Sequence, residues 1–192
     1  ITSILENSLI RKCDECMLSK KVTISKDSKI RKIEKCSISY DYDDLMIPDS
    51  VEELENCSHY NNYLLKIKVS PKNKNFILFD DKYIIGKTDR KSDEFDSLVV
   101  FQSKDSEVNI PSFIKRIESY CFVNTYGNDT FNIPFDSQLR IIESNAFTGT
   151  SITKLFIPEY LADLNDGWCE ETKHLIEIKV HQNNKRFIYF QN

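Results

Sequence analysis

Isoleucine–proline dipeptides at a regular spacing are the feature that most restricts how this chain can fold. They begin at Ile110, Ile133 and Ile157, which are 23 and 24 residues apart, and another begins at Ile47. Steps of about the same length reach similar apolar strings around Ile24, Val69 and Val180. A period of about 23 residues predicts a solenoid, in which each unit forms one turn and stacks on its neighbours.

Each unit also carries a second apolar pair, three residues apart, followed by a small residue. Ile114 and Ile117 precede Cys121, and the same pattern recurs in the other units. The small residues of these other units are Cys36, Cys57, Ala146 and Cys169. A single unit cannot bury such a stripe alone, whereas stacked neighbours can, so this pattern independently favours a solenoid.

Short strands are predicted where each unit begins. In Leu45-Met46-Ile47 the outer residues should point inward and the middle residue outward, because side chains alternate along a strand. The proline that follows ends the strand, since it cannot donate to the ladder. Stacked units would then form a parallel sheet. Its outward row, which we predict as a binding surface, comprises Thr23, Met46, Lys68, Asn109, Asn132, Phe156 and Lys179.

An insertion of about residues 70–107 lengthens one unit, and its aromatic and β-branched runs predict a β-hairpin that projects from the solenoid. Asp80 and Asp81 should form the hairpin turn. The segment before this hairpin, residues 67–79, matches residues 178–190 at a constant offset, so we expect a second insertion to begin at about residue 180 and to be cut short. Residues 1–192 are thus expected to be one solenoid, taken from a longer chain.

These motifs resemble the BspA-like leucine-rich-repeat proteins of bacteria and parasitic protozoa. Ile117 to Phe122 and Ile142 to Phe147 fit the family's repeat best, and Asn73-Lys74-Asn75-Phe76 resembles its hairpin islands. The resemblance implies a leucine-rich-repeat solenoid of mostly β and irregular structure. It also implies a surface or secreted protein that binds other macromolecules without catalysis.

Composition and motif searches disfavour several other classes of function. A net charge of −4 leaves no basic footprint for nucleic acid, and the apolar runs are too short to cross a bilayer. No zinc-protease, serine-hydrolase, Walker or dinucleotide-binding motif is present. His59, His174 and His181 are widely scattered. We therefore predict no catalytic residue, no metal site and no cofactor.

The six cysteines leave alternatives open. Cys13, Cys36, Cys57, Cys121 and Cys169 fall in the position that Ala146 also fills, so a buried ladder of free thiols is favoured over disulfides or a metal site. Cys16, outside that phase, is the expected exposed thiol. Asp41 to Asp44 lack the pattern of a calcium loop, and Asn128 is a glycosylation candidate if the chain is secreted.

The sequence therefore predicts a protein-interaction module whose partner is a protein or a surface glycoprotein. Adhesion at the cell surface or after secretion follows from the family resemblance. An intracellular scaffold of a large assembly, such as the cytoskeleton, is the alternative, because no disulfide framework is evident. An enzyme would require a clustered polar pocket that the motifs do not indicate.

Overall fold

The computed structural model describes residues 3–4, 24–25, 28–34, 44–55, 66–103, 105, 107–123, 125 and 130–188, and no helix occurs in these ranges. The strands, in chain order, are β1 (Ser3–Ile4), β2 (Lys32–Ile33), β3 (Asp44–Ile47), β4 (Glu53–Leu54), β5 (Lys66–Val69), β6 (Ile77–Phe79), β7 (Tyr83–Gly86), β8 (Ser97–Phe101), β9 (Glu107–Asn109), β10 (Arg116–Ile117), β11 (Thr130–Asn132), β12 (Ile141–Ile142), β13 (Lys154–Ile157), β14 (Asp163–Leu164) and β15 (Glu177–Val180).

Two parallel ladders run along the molecule. The first ladder consists of β3–β5 and β9–β11–β13–β15, and the second of β1–β2–β4 and β8–β10–β12–β14. Phe131 lies opposite Val108, and Leu155 lies opposite Ile178, each pair 23 residues apart, while Leu45 and Ile67 are 22 and Thr130 and Lys154 are 24 apart. The solenoid predicted from the period is confirmed.

Apolar side chains from the two ladders meet in the core. Ile117 and Ile142 of the second ladder are fully buried, as is Val108 of the first. Full burial of one such side chain contributes roughly 2 kcal/mol relative to exposure, which explains why both apolar pairs recur in every unit.

The corner after the second ladder corrects one predicted equivalence. The Cys121, Ala146 and Trp168 amides each donate to the carbonyl three residues earlier, and Phe147 N donates to Trp168 O at 2.8 Å. Trp168 therefore occupies the position of Cys121 and Ala146, and the prediction that Cys169 does so is wrong. Cys169 lies one position later. The hydrogen bonds of the corner are the same in each unit, whereas the size of the side chain at this position is not.

Strands β6, β7 and β8 form an antiparallel meander inside the long unit. Asp80 and Asp81 turn the β6–β7 hairpin with φ angles of 52° and 53°, as a primed β-turn requires. The hairpin does not project as predicted, because it is apolar on both faces. Ile84 packs into the N-terminal core cluster and Ile85 into the C-terminal one, and both are fully buried.

Buried asparagines mark two equivalent turns. Asn73 Nδ2 donates to Pro48 O and Val51 O at 2.7 and 3.1 Å, while its Oδ1 accepts the Phe76 amide at 2.9 Å. Asn184 makes the corresponding bonds to Pro158 O, Leu161 O and the Phe187 amide. Each asparagine occupies a position that is apolar in the preceding unit, and its bonds turn the chain out of the second ladder.

Candidate binding face

The outward positions of the first ladder form the surface we call the strand face. Met46 lies beside Lys68, Asn109 beside Asn132, and Phe156 beside Lys179. The predicted alternation holds at Met46, which is 38% exposed between two buried neighbours. Thr23 lies outside the described residues. The role of these side chains in binding stays a prediction.

Polar and charged groups cover one part of the strand face. Asn132 Nδ2 donates to Asn109 Oδ1 at 3.0 Å and also to Glu107. Glu177 pairs with Lys154 at 3.3 Å and with Lys179 at 3.4 Å. Hydrogen bonds from these two lysines, led by Lys154, lower the pKa of the Glu177 carboxyl. This part of the face offers amide and ionic groups to a partner.

Aromatic side chains form a contiguous group beside these polar residues. We call Phe135, Phe156 and His181 the aromatic patch. The Phe135 ring lies 6.3 Å from Phe156 and 4.2 Å from His181, measured between ring centroids. Phe135 is 69% exposed, whereas His181 is almost fully buried. A solvent-facing phenylalanine packed against two further rings is a typical anchor for a protein partner.

His181 has an unusual hydrogen-bonding state within this patch. Its Nδ1 accepts the Asn183 amide at 3.1 Å, so Nε2 carries the proton. That buried Nε2 has no hydrogen-bond partner among the described residues.

Sequence reasoning found Phe156 but missed Phe135 and His181. The available signal was position: His181 replaces the proline that follows other strands, and Phe135 follows Pro134 directly. Spacing alone does not reveal that residues 46 positions apart stack on each other.

The meander interrupts the strand face between β5 and β9 and satisfies both exposed strand edges with side chains. The buried Gln102 amide accepts from Ile67 N at 2.6 Å and donates to Ile67 O at 2.8 Å. The Tyr83 hydroxyl donates to Asn109 O at 2.5 Å. Burial raises the pKa of this phenol to about 12. The two halves of the strand face therefore end on closed edges.

Cysteine and acidic side chains do not form a reactive cluster in the described part of the chain. Cys121 and Cys169 are free thiols, and burial raises the pKa of the Cys121 thiol. Cys13, Cys16, Cys36, Cys57 and Asn128 lie outside the described residues. Among those that are described, no three histidine, cysteine or acidic residues are grouped to hold a metal, and no helix is long and apolar enough to span a membrane.

Comparison with known proteins identifies the repeat. The BspA type leucine-rich repeat region matches residues 100–190 in six copies. Residues 100–190 therefore consist of BspA-type leucine-rich repeats. The family comprises protein-interaction modules that are generally non-catalytic, in agreement with a face built from stacked rings and amides. No curated protein matches the sequence.

Solved structures share the fold of this chain. A leucine-rich repeat protein from Eubacterium ventriosum ATCC 27560 aligns with a TM-score of 0.64 at 17% identity, covering 84% of this chain and 42% of that one. The pneumococcal vaccine antigen PcpA aligns with a TM-score of 0.53 at 17% identity, covering 83% and 44%. The chain thus spans less than half the length of either structure.

Proposed function

We propose that this protein is a non-catalytic adhesion module that binds a protein or surface glycoprotein at the cell surface. The observation that carries the proposal is the aromatic patch on the strand face. Phe135 is exposed over most of its surface. Exposed aromatic residues next to ordered polar groups are typical of interaction hot spots.

Two kinds of contact support this choice of surface. The patch offers aromatic rings, while Asn109, Asn132 and Lys179 offer polar groups along the same row. A partner could therefore bury an apolar anchor and form hydrogen bonds around it. The surface location rests on the repeat family and on the pneumococcal antigen that shares the fold.

Affinity capture tests the binding surface. The protein and its variants are immobilised and exposed to surface extracts of the source cells, and retained proteins are quantified by mass spectrometry. We expect Phe156→Asp to reduce retention of the specific partner at least about tenfold, because a charge enters a desolvated contact. Ile188→Ser is the matched control, since Ile188 is 75% exposed outside the patch. Equal retention by wild type and Phe156→Asp would refute the strand-face proposal.

Antibody labelling of the source cells tests the location. Intact cells should be labelled as strongly as permeabilised cells. Labelling that requires permeabilisation would overturn the surface proposal and favour an intracellular scaffold.

A further inference from the structure

We infer that the second ladder contains a peptide-binding groove, in which an extended basic segment adds as a parallel strand to the open edge of β4. This groove has a volume of about 480 Å3 and lies between β4 and the ends of β7 and β8. It goes beyond the proposed function, because the strand face belongs to the first ladder.

The groove exists because the chain leaves the second ladder after β4. In an unbroken repeat the next strand would lie against β4, but the Asn73 turn carries residues 74–76 away from it. Asn75 retains one contact, a side-chain hydrogen bond to Val51 O at 3.2 Å. Among the described strands, β4 is consequently the last one of its sheet.

Its open edge presents the same acceptors that bind the next strand elsewhere. In the complete part of the ladder, Lys115 O accepts Arg140 N at 2.8 Å, and Ile117 O accepts Glu143 N at 3.0 Å. Glu52 O and Leu54 O occupy the equivalent positions on β4 and accept no hydrogen bond from any described residue. Unpaired edge carbonyls of this kind are the usual template for strand addition.

Charge and shape define the occupant. Glu52, Glu53, Glu55 and Glu118 line the groove, against only Lys87 and Arg90 among its described lining residues. The exposed Arg90 already places its guanidinium 3.1 Å from Glu53. On the other side of β4, Arg31 pairs with Glu52 and Lys32 with Glu53 at 3.0 and 3.7 Å. A strand with central lysine and arginine residues would continue this alternation of charge.

Apolar side chains form the floor. Leu54, Phe76 and Val99 line the groove, and the last two are more than nine-tenths buried. Gly86 lets the Phe76 and Val99 side chains pack directly against the β7 backbone, because an added Cβ would lie 3.2 Å from each of them. An apolar residue next to the basic pair would pack against this floor.

The same groove recurs at the second asparagine turn. Below Asn184, a smaller groove of about 320 Å3 lies along β14, which is also the last strand of its sheet. Asp163 and Leu164 take the places of Glu53 and Leu54, and Phe187 takes that of Phe76.

A synthetic peptide tests the inference. The probe is acetyl-PSFIKRIES-amide carrying a fluorophore, which copies residues 111–119, a strand of this protein that has the required apolar–basic–basic–apolar order. Fluorescence anisotropy against the 192-residue protein should give a Kd of about 10–500 μM. The Glu53→Lys/Asp163→Lys double variant should weaken binding at least tenfold. The control is Asp136→Lys, which makes the same kind of charge change in an exposed turn away from the groove. This variant should bind like wild type.

Two further measurements separate strand addition from simple charge attraction and from self-association. N-methylation of the peptide's lysine and glutamate amides, copied from Lys115 and Glu118, should abolish binding, because these amides would donate to Glu52 O and Leu54 O as Arg140 N and Glu143 N donate to Lys115 O and Ile117 O. Unchanged binding of the N-methylated peptide, or of the double variant, would overturn the inference. The inference would also be overturned if sedimentation velocity showed a dimer of the wild type that is absent from the double variant. A second copy of the chain would then be the occupant of the groove. None of these outcomes tests the proposed binding role of Phe156, which lies on the strand face of the first ladder.

Discussion

Buried asparagine side chains at Asn73 and Asn184 show how a single residue can redirect this repeat. Asn73 is 7% exposed and Asn184 8% exposed, in positions where the preceding units carry Val51 and Leu161. A buried amide is tolerated there because both its donors and its acceptor are satisfied by backbone groups. The sequence revealed that the two segments match, but not that the asparagine causes the turn.

Replacing Asn73 with aspartate should destabilise the protein by about 3 kcal/mol. The carboxylate loses both donors and faces the Pro48 and Val51 carbonyls, whose remaining donors are the Val51 amide at 3.3 Å and the Asn75 side chain at 3.2 Å. Urea unfolding followed by circular dichroism measures the change. Asn183→Asp, at an exposed position of the equivalent turn, is the control and should change stability by less than about 0.5 kcal/mol. A similar small effect at Asn73 would contradict the role assigned to its amide.

At the scale of the strands, the meander both interrupts the solenoid and closes the gap that it creates. The aromatic and β-branched runs predicted its strands, and Asp80-Asp81 predicted its turn. Its burial was not predictable, because it depends on contacts such as Gln102 with Ile67, which are 35 residues apart. The pattern identified apolar strands but could not show that both of their faces are covered.

Tyr83 provides a test of this closure. Tyr83→Phe should cost about 1–2 kcal/mol at neutral pH, because Asn109 O loses its donor in a buried site. The raised pKa of about 12 means that folding favours the neutral phenol. The contribution of the Tyr83 phenol to the free energy of unfolding is therefore fully present below pH 10 and is lost as the pH rises through 12. Unfolding free energies measured between pH 8 and pH 12 should converge for wild type and variant. A constant difference would contradict the assignment.

For the whole molecule, the 23-residue period was sufficient to predict the stacking of units and the inward and outward sides of their strands. The surface features were much harder to predict from the sequence. Phe156 stood out as an apolar residue in an outward row, whereas Phe135 and His181 became part of the patch only through packing between units. The β4 groove likewise depends on a missing strand, and repeat spacing carries no direct sign of an absent neighbour.

Nuclear Overhauser effects measured on isotope-labelled protein test the stacking most directly. Parallel strands about 4.8 Å apart should give backbone contacts between residues one unit apart. We expect such signals for Phe131 with Val108, Leu155 with Ile178, and Ile142 with Ile117. Observation of these three sets would establish two stacked ladders. Their absence, with strand contacts only between neighbouring segments of an ordinary antiparallel sheet, would contradict the solenoid.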